Sequence, residues 1–327
     1  MTADLVPSPL SRRACLGGIG GFAGLSVWPA LQTPAAPPAV AEPALPLFLN
    51  LFTRLAAQVQ LEPRRTSLFV LDTGAQTTAL SDRLATEMRL EAGPDLLVHS
   101  VTASRLVPSV RLPCLRLQQE VFEDIITPVF PYEHLGAEGL LGLNHLQAFS
   151  LLLDIRQQQA ILSPSRAQGV SFTFGPLVNA SRIIRCMSPV PGHRQDDLLL
   201  LSIKVADIPT IAFLDTGSQY SIGNLRLFQA LGLARNHTPE RTIFGVSGIP
   251  VTVLSGPAPM VEMGIKRIPR APLLFGDLHI FDVLDLRAQP ALMVGADILG
   301  YFDRVGIDYH NNRITLGDVM RARIPAG

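Results

Sequence analysis

One short phrase occurs twice in this chain, and nothing else in the sequence restricts its fold as much. Phe69-Val70-Leu71-Asp72-Thr73-Gly74-Ala75 and Ala212-Phe213-Leu214-Asp215-Thr216-Gly217-Ser218 are each an apolar, strand-like run that ends in Asp-Thr-Gly and a small residue. The repetition continues downstream. Ser81 stands nine residues after the first Asp and Asn224 nine after the second, and both residue types are good helix N-caps. Leu84 and Met88 then share a helical face, as do Leu227, Phe228 and Leu231, with Gly232 as a stop. Leu140-Leu141-Gly142 and Met293-Val294-Gly295 each lead into a short helical pattern ending near Phe149 or Phe302. Leu151 to Ile155 and Val305 to Tyr309 read as strands, and each passes through a polar turn into another strand, at Ala160-Ile161-Leu162 and Ile314-Thr315-Leu316. A β-rich unit is therefore built twice, and its two copies are expected to face each other across a pseudo-two-fold axis.

A chain of 327 residues is long enough for two such units, each with its own core. Its formal net charge is zero, so nothing favours nucleic acid or an anionic membrane surface. The cysteines are Cys15, Cys114 and Cys186, and there is no CxxC, no HExxH and no clustered His/Cys set. The sequence thus supports neither a metal nor a cofactor. The seven histidines are scattered and read as solvated or singly bonded side chains.

Residues 1–41 read as a targeting segment. Ser11-Arg12-Arg13-Ala14-Cys15-Leu16 precedes a Gly-rich, mildly apolar run from Gly17 to Leu31, and Ala39-Val40-Ala41 supplies a cleavage site. The paired arginines resemble a twin-arginine signal, which exports folded proteins. Gly17 to Gly24 lacks the spacing of a phosphate-binding loop. The apolar run is short and glycine-rich for a membrane span, so no stable span is expected after signal cleavage. An uncleaved N-terminal anchor is the alternative. The expected location is periplasmic or extracellular. There Cys114 and Cys186 meet an oxidising compartment, and both a disulfide and two buried thiols stay open.

Paired carboxylates are what an enzyme needs to activate water without a metal. Gly74 and Gly217 let each loop turn where a Cβ would clash, so that Asp72 and Asp215 can be brought together as a pair. The hydroxyls of Thr73 and Thr216 can bond the backbone of the opposite loop and lock the two half-sites together. Two carboxyls that close cannot both ionise cheaply, so one acts as base and the other carries the proton. The loops differ where Ala75 is matched by Ser218. A serine hydroxyl donating to the adjacent carboxylate would make Asp215 the base and leave the proton on Asp72.

On these motifs the chain resembles the retropepsin-like aspartic proteases, fused in tandem as in the two-lobed pepsins. The resemblance rests on the two Asp-Thr-Gly-Ala/Ser loops and on the two apolar-apolar-Gly segments at 140–142 and 293–295, and it covers about residues 44–165 and 197–320. It implies an all-β fold of two lobes with short helices. The N-terminal lobe would span 42–165, an inter-lobe linker 166–196, with room for a strand joining a shared basal sheet, and the C-terminal lobe 197–327. It also implies an endopeptidase that binds extended polypeptide in the cleft, with no cofactor, in a monomer that is an intramolecular pseudo-dimer. Thr242 to Val251 reads as a hairpin flap over substrate, with Phe244, Gly245, Val246, Ser247 and Gly248 at its tip. The matching stretch of the first half, Val98 to Leu106, has no glycine. This departs from the family's usual flap and leaves open one flap or two. The competing reading is a non-catalytic peptide-binding or regulatory module that retains the fold.

Overall fold

A computed structural model of the chain describes residues 45–46, 48–49, 55–61, 65–164, 183–184, 187–195 and 197–320. The expected signal segment, Cys15, Cys186 and much of the expected linker lie outside these residues. Alternating and continuous apolar runs dominate the described part, and it is built mainly of β-strands with short helices. In Leu55–Leu61, for example, Ala57, Val59 and Leu61 are buried while Gln58 and Gln60 face solvent.

Two sheets repeat one central arrangement. In the first, Gly139–Leu141 runs parallel to Arg65–Leu71 and antiparallel to Ala79–Ser81. In the second, Ala291–Val294 runs parallel to Ile208–Leu214 and antiparallel to Ile222–Gly223. Each Asp-Thr-Gly thus leaves the end of a strand whose neighbour is the apolar-apolar-Gly segment. That neighbour is covered on both faces, which is why it reads as an unbroken apolar run. The first sheet also curls on itself, because Leu55–Leu61 pairs with both Arg65–Leu71 and Ser109–Leu117.

A third sheet joins the halves. Its six strands lie in the order Leu45–Pro46, Gln159–Pro164, Phe149–Asp154, Arg304–Asp308, Arg313–Leu316 and Ser188–Val190. The central pair is antiparallel, with Leu152 opposite Gly306 and Asp154 opposite Arg304. The Arg304 guanidinium donates to Asp154 across the join at 2.9 Å. The described residues accordingly belong to one compact unit. The stretch expected as linker supplies two strands. Ser188–Val190 closes the edge of the shared sheet, and Gly192–Gln195 pairs with Leu198–Val205 in the second sheet. Pro189 is tolerated there because an edge strand needs no inner ladder donor.

Both expected helix starts are present. Ser81 caps Asp82–Glu87 by accepting from Leu84 N, and Asn224 caps Leu225–Ala230 by accepting from Leu227 N. Gly232, past the end of the second helix, takes a φ of +68°. Asn224 does more than cap. Its amide donates to the carbonyls of Leu286 and Gln289, and its oxygen also accepts from Ala291 N. Replacing Ser81 by Ala removes one cap bond and should cost about 1 kcal/mol. Asn224→Ala strands several buried groups and should cost about 3 kcal/mol or more. Urea unfolding of both variants checks this order, and equal losses would contradict it.

Candidate active site

The two Asp-Thr-Gly loops meet at the centre of the molecule. Asp72 and Asp215 are both buried, at 8% and 4% exposure, and both line a single cavity of about 550 Å³. A side chain on Gly74 would stand 2.5 Å from the carboxyl carbon of Asp215, and one on Gly217 would run into the carboxylate of Asp72. Each carboxylate therefore lies against the glycine of the opposite loop, and a Cβ at either glycine would push the acids apart. The Asp72 carboxylate accepts from Gly74 N and Ala75 N, both at 3.0 Å.

Four hydrogen bonds lock this arrangement. Thr73 N donates to Thr216 Oγ1 and Thr216 N donates to Thr73 Oγ1, each at 3.1 Å. Thr73 Oγ1 donates on to Leu214 O at 2.9 Å, and Thr216 Oγ1 donates to Leu71 O. Each threonine thus ties down the strand that carries the other half's aspartate. Both hydroxyls are buried, so losing either partner leaves unsatisfied polar groups away from water.

One expected bond is replaced. Ser218 Oγ donates to Tyr220 O at 2.9 Å, not to the carboxylate of Asp215. A hydroxyl has a single proton, and here the turn uses it. The assignment of Asp215 as base loses its support from Ser218.

Beneath each loop sits a matched support. In the first half Leu143 N and Asn144 N donate to Ala75 O and Gln76 O, and in the second Ala296 N and Asp297 N donate to Ser218 O and Gln219 O. Asn144 Oδ1 accepts from Thr78 N at 2.9 Å and from Thr78 Oγ1 at 3.0 Å. The Asp297 carboxylate accepts from Ser221 N at 3.0 Å and from Ser221 Oγ at 2.5 Å. Gly142 N and Gly295 N complete the sets by donating to Thr78 Oγ1 and Ser221 Oγ. Gly142 is close to the backbone of Thr77 and Thr78, and Gly295 to that of Tyr220, which leaves no room for a Cβ in either apolar-apolar-Gly segment. His145 packs beside the first support, with Nδ1 2.6 Å from Thr78 Oγ1 and its ring edge-on to Phe122. Burial pushes its pKa down to about 4.

Two hairpins close over the cavity. Leu96–His99 pairs with Ser104–Val107, and Glu240–Phe244 pairs with Pro250–Ser255. Their tips touch through Thr102 Oγ1 and Ser247 Oγ at 2.9 Å. Each hairpin is also tethered to the other half. His99 Nδ1 lies 3.0 Å from Nε2 of His279 in the helix His279–Val283, and Ile280 N donates to Val101 O. His134, in the helix Tyr132–Leu135, lies 3.2 Å from the carbonyl of Val246. Ser247 is buried by these contacts, and Gly248 turns with φ +72° against the His134 ring, where a Cβ would collide. Phe244 is left 70% exposed, and with Gly245 and Val246 it faces the cavity.

Several of these residues lie outside the motifs that mark the site in the sequence. Gln76 and Gln219 stand four residues after each aspartate and line the cavity from its two sides. Their repetition was visible in the sequence. Asn144 and Asp297, two residues after each supporting glycine, were equally visible. His99, His134 and His279 carry no local signal, since each finds its partner across more than a hundred residues.

Residues 57–148 match the sequence model of a family described as gag-polyprotein putative aspartyl protease. No curated protein matches the chain. The matched stretch holds Asp72-Thr73-Gly74 and Leu140-Leu141-Gly142 and stops before the second copy. That stretch is retropepsin-like, and the largely β architecture with short helices agrees with a retropepsin-like fold. The match supports a protease-like, hydrolytic function with polypeptide as substrate.

His145 gives the site a measurable acid weakness. It is neutral in the folded chain down to about pH 4, whereas an unfolded histidine takes up its proton near 6.5. The unfolded state then binds more protons, so stability falls as pH drops through that window, by about 3 kcal/mol in total. Chemical denaturation from pH 7 to pH 4 should show this slope, and His145→Gln should flatten it. An identical slope in the variant would contradict the assignment.

Proposed function

From the retropepsin-like character of residues 57–148, we propose that this chain is an aspartic endopeptidase with one half-site in each repeat, Asp72 in the first and Asp215 in the second. A single observation carries the proposal: each carboxylate lies against the glycine of the opposite loop, inside one cavity. Two carboxyls held that way favour a shared proton over two charges. The ionised member takes a proton from a water held between them. The neutral member donates its proton to the scissile carbonyl oxygen as the water oxygen bonds to the carbonyl carbon. The resulting gem-diol collapses: one of its hydroxyls returns a proton to the dyad, the C–N bond breaks, and the departing nitrogen receives the proton taken from the water, so the dyad again holds one proton. Thr73, Gly74 and Ala75 with Thr216, Gly217 and Ser218 hold the acids and make no bond to the reacting atoms.

The cavity suits an extended peptide bound as an added strand with side chains in alternating pockets. Its C-terminal side presents Leu198, Phe213, Ile222 and Met293, and the hairpins add Leu97 and Phe244. Gln76 and Gln219 each offer a donor and an acceptor to a substrate main chain, one from each side. Two tethered hairpins can shut the cleft and exclude water. In this reading the halves 42–165 and 197–327 are tandem lobes of a monomeric pseudo-dimer. Its basic, small-residue-rich beginning at 1–41 supports export to the periplasm or beyond.

The full-length chain digesting a peptide library in ¹⁸O-labelled water tests the proposal. New termini should appear within peptides, and each new carboxylate should carry one labelled oxygen. A statine-type mimic should stop cleavage, and added amine nucleophiles should trap no acyl-enzyme, because water attacks directly. Peptide binding without cleavage would overturn the proposal in favour of a binding module, and amine-trapped products would overturn the direct attack.

A further inference from the structure

The supports under the two loops match in position but differ in kind. Under the Asp72 loop the acceptor is the amide of Asn144. Under the Asp215 loop it is the carboxylate of Asp297, which also accepts from Ile298 N at 2.7 Å. We propose that Asp297 is a positioning residue that makes the seating of the Asp215 loop depend on pH, while Asn144 gives the Asp72 loop a seat with no proton equilibrium of its own. This rests on the reading of Asp215 as half of the dyad.

The argument is one of donors and acceptors. Three donors point at the Asp297 carboxylate: Ser221 N, Ser221 Oγ and Ile298 N. An ionised carboxylate accepts all three. Adding a proton removes the charge, and the three bonds weaken from charge-assisted to ordinary neutral ones. Two of the three bonds come from Ser221, which also anchors Gly295 N. Protonation therefore loosens the end of the loop that begins at Asp215. Asn144 satisfies the equivalent Thr78 with one amide oxygen, whereas Ser221 N and Oγ reach different oxygens of Asp297, so an asparagine there must turn its one oxygen to both.

The surroundings leave the group free to respond. The loop above it brings Asp215 and Tyr220 as titratable side chains. The strand Ala291–Val294 before it, and the rest of the helix Ala296–Leu299 that it opens, bring none. Burial raises its pKa, while the hydrogen bonds from Ser221 and Ile298 lower it, and the balance lies above the ordinary aspartate value. Burial thus makes the proton easier to take up, and the charge that strengthens the bonds to the loop is what is given up. The residue in the first half that matches Ile298 is His145, which stays neutral down to about pH 4. Above that pH the two supports differ only through Asp297.

The test exchanges the supports in the full-length chain: Asp297→Asn and Asn144→Asp. Hydrogen-exchange protection is followed from pH 7 to pH 4.5, beside the pH profile of kcat/KM. In the wild type, protection of residues 215–221 should fall on acidification while that of residues 72–78 holds. Asp297→Asn should abolish this dependence and keep on the order of ten-fold more of its maximal kcat/KM on the acidic limb, the worth of about one hydrogen bond. Asn144→Asp should bring the dependence to residues 72–78 and move the acidic limb to higher pH. Profiles and protection that superimpose on the wild type after scaling would overturn the proposal. Should Asp297→Asn fail to fold, Asn144→Asp decides alone. A wild-type chain that cleaves no peptide would overturn the dyad, and the protection data would still decide the role of Asp297.

Discussion

Neither aspartate loop is complete without the other. Thr73 and Thr216 exchange bonds with the opposite loop's amide and reach the carbonyls of Leu214 and Leu71 behind it. The remainder of the molecule follows from this reciprocal lock. The strands that end in the loops must therefore arrive facing each other. The glycine after each threonine must be bare, because the other half's acid occupies the space its side chain would need. Such a joint is made of buried polar groups that depend on one another, and it is rigid for that reason.

Everything else keeps the joint in register. The six-stranded sheet takes strands from both ends of the chain and pairs Phe149–Asp154 with Arg304–Asp308. The apolar-apolar-Gly strands lie beside the strands that deliver the aspartates and hold them through backbone bonds, Asp72 N to Leu141 O and Asp215 N to Val294 O. Above the acids, contact between the hairpins and their ties to the opposite half put a roof on the cavity. Dependence between the halves thus recurs at three levels: basal sheet, paired loops and roof.

Much of this was legible because it is local and repeated. Strand-forming runs before Asp72 and Asp215, the caps at Ser81 and Asn224, and the glycines at 142 and 295 each announce themselves within a few residues. The repetition shows that they belong to one plan. What escaped was non-local or lacked contrast. A strand from the connection into a shared sheet was expected, but Pro189, Pro191 and Gly192 hide the bounds of Ser188–Val190, where only the edge position makes proline acceptable. The first hairpin has no glycine at its tip. Ser100 and Ala103 close that turn instead, through a backbone bond and the Ser100 hydroxyl. Ser218 adjoins a charged loop in sequence, yet the carbonyl of Tyr220 two residues on is the better-placed acceptor. The histidine contacts between halves belong to tertiary structure and have no signature in the chain.

The central claim is that two acids act as one unit on one water, and double-mutant kinetics addresses it most directly. Purified full-length protein, Asp72→Asn, Asp215→Asn and the double variant are assayed on one cleaved peptide. A shared dyad predicts that either single change lowers kcat by about a thousand-fold or more, and that the double variant is hardly worse than the singles. Losses that multiply, or a single variant that retains most of its activity, would contradict it.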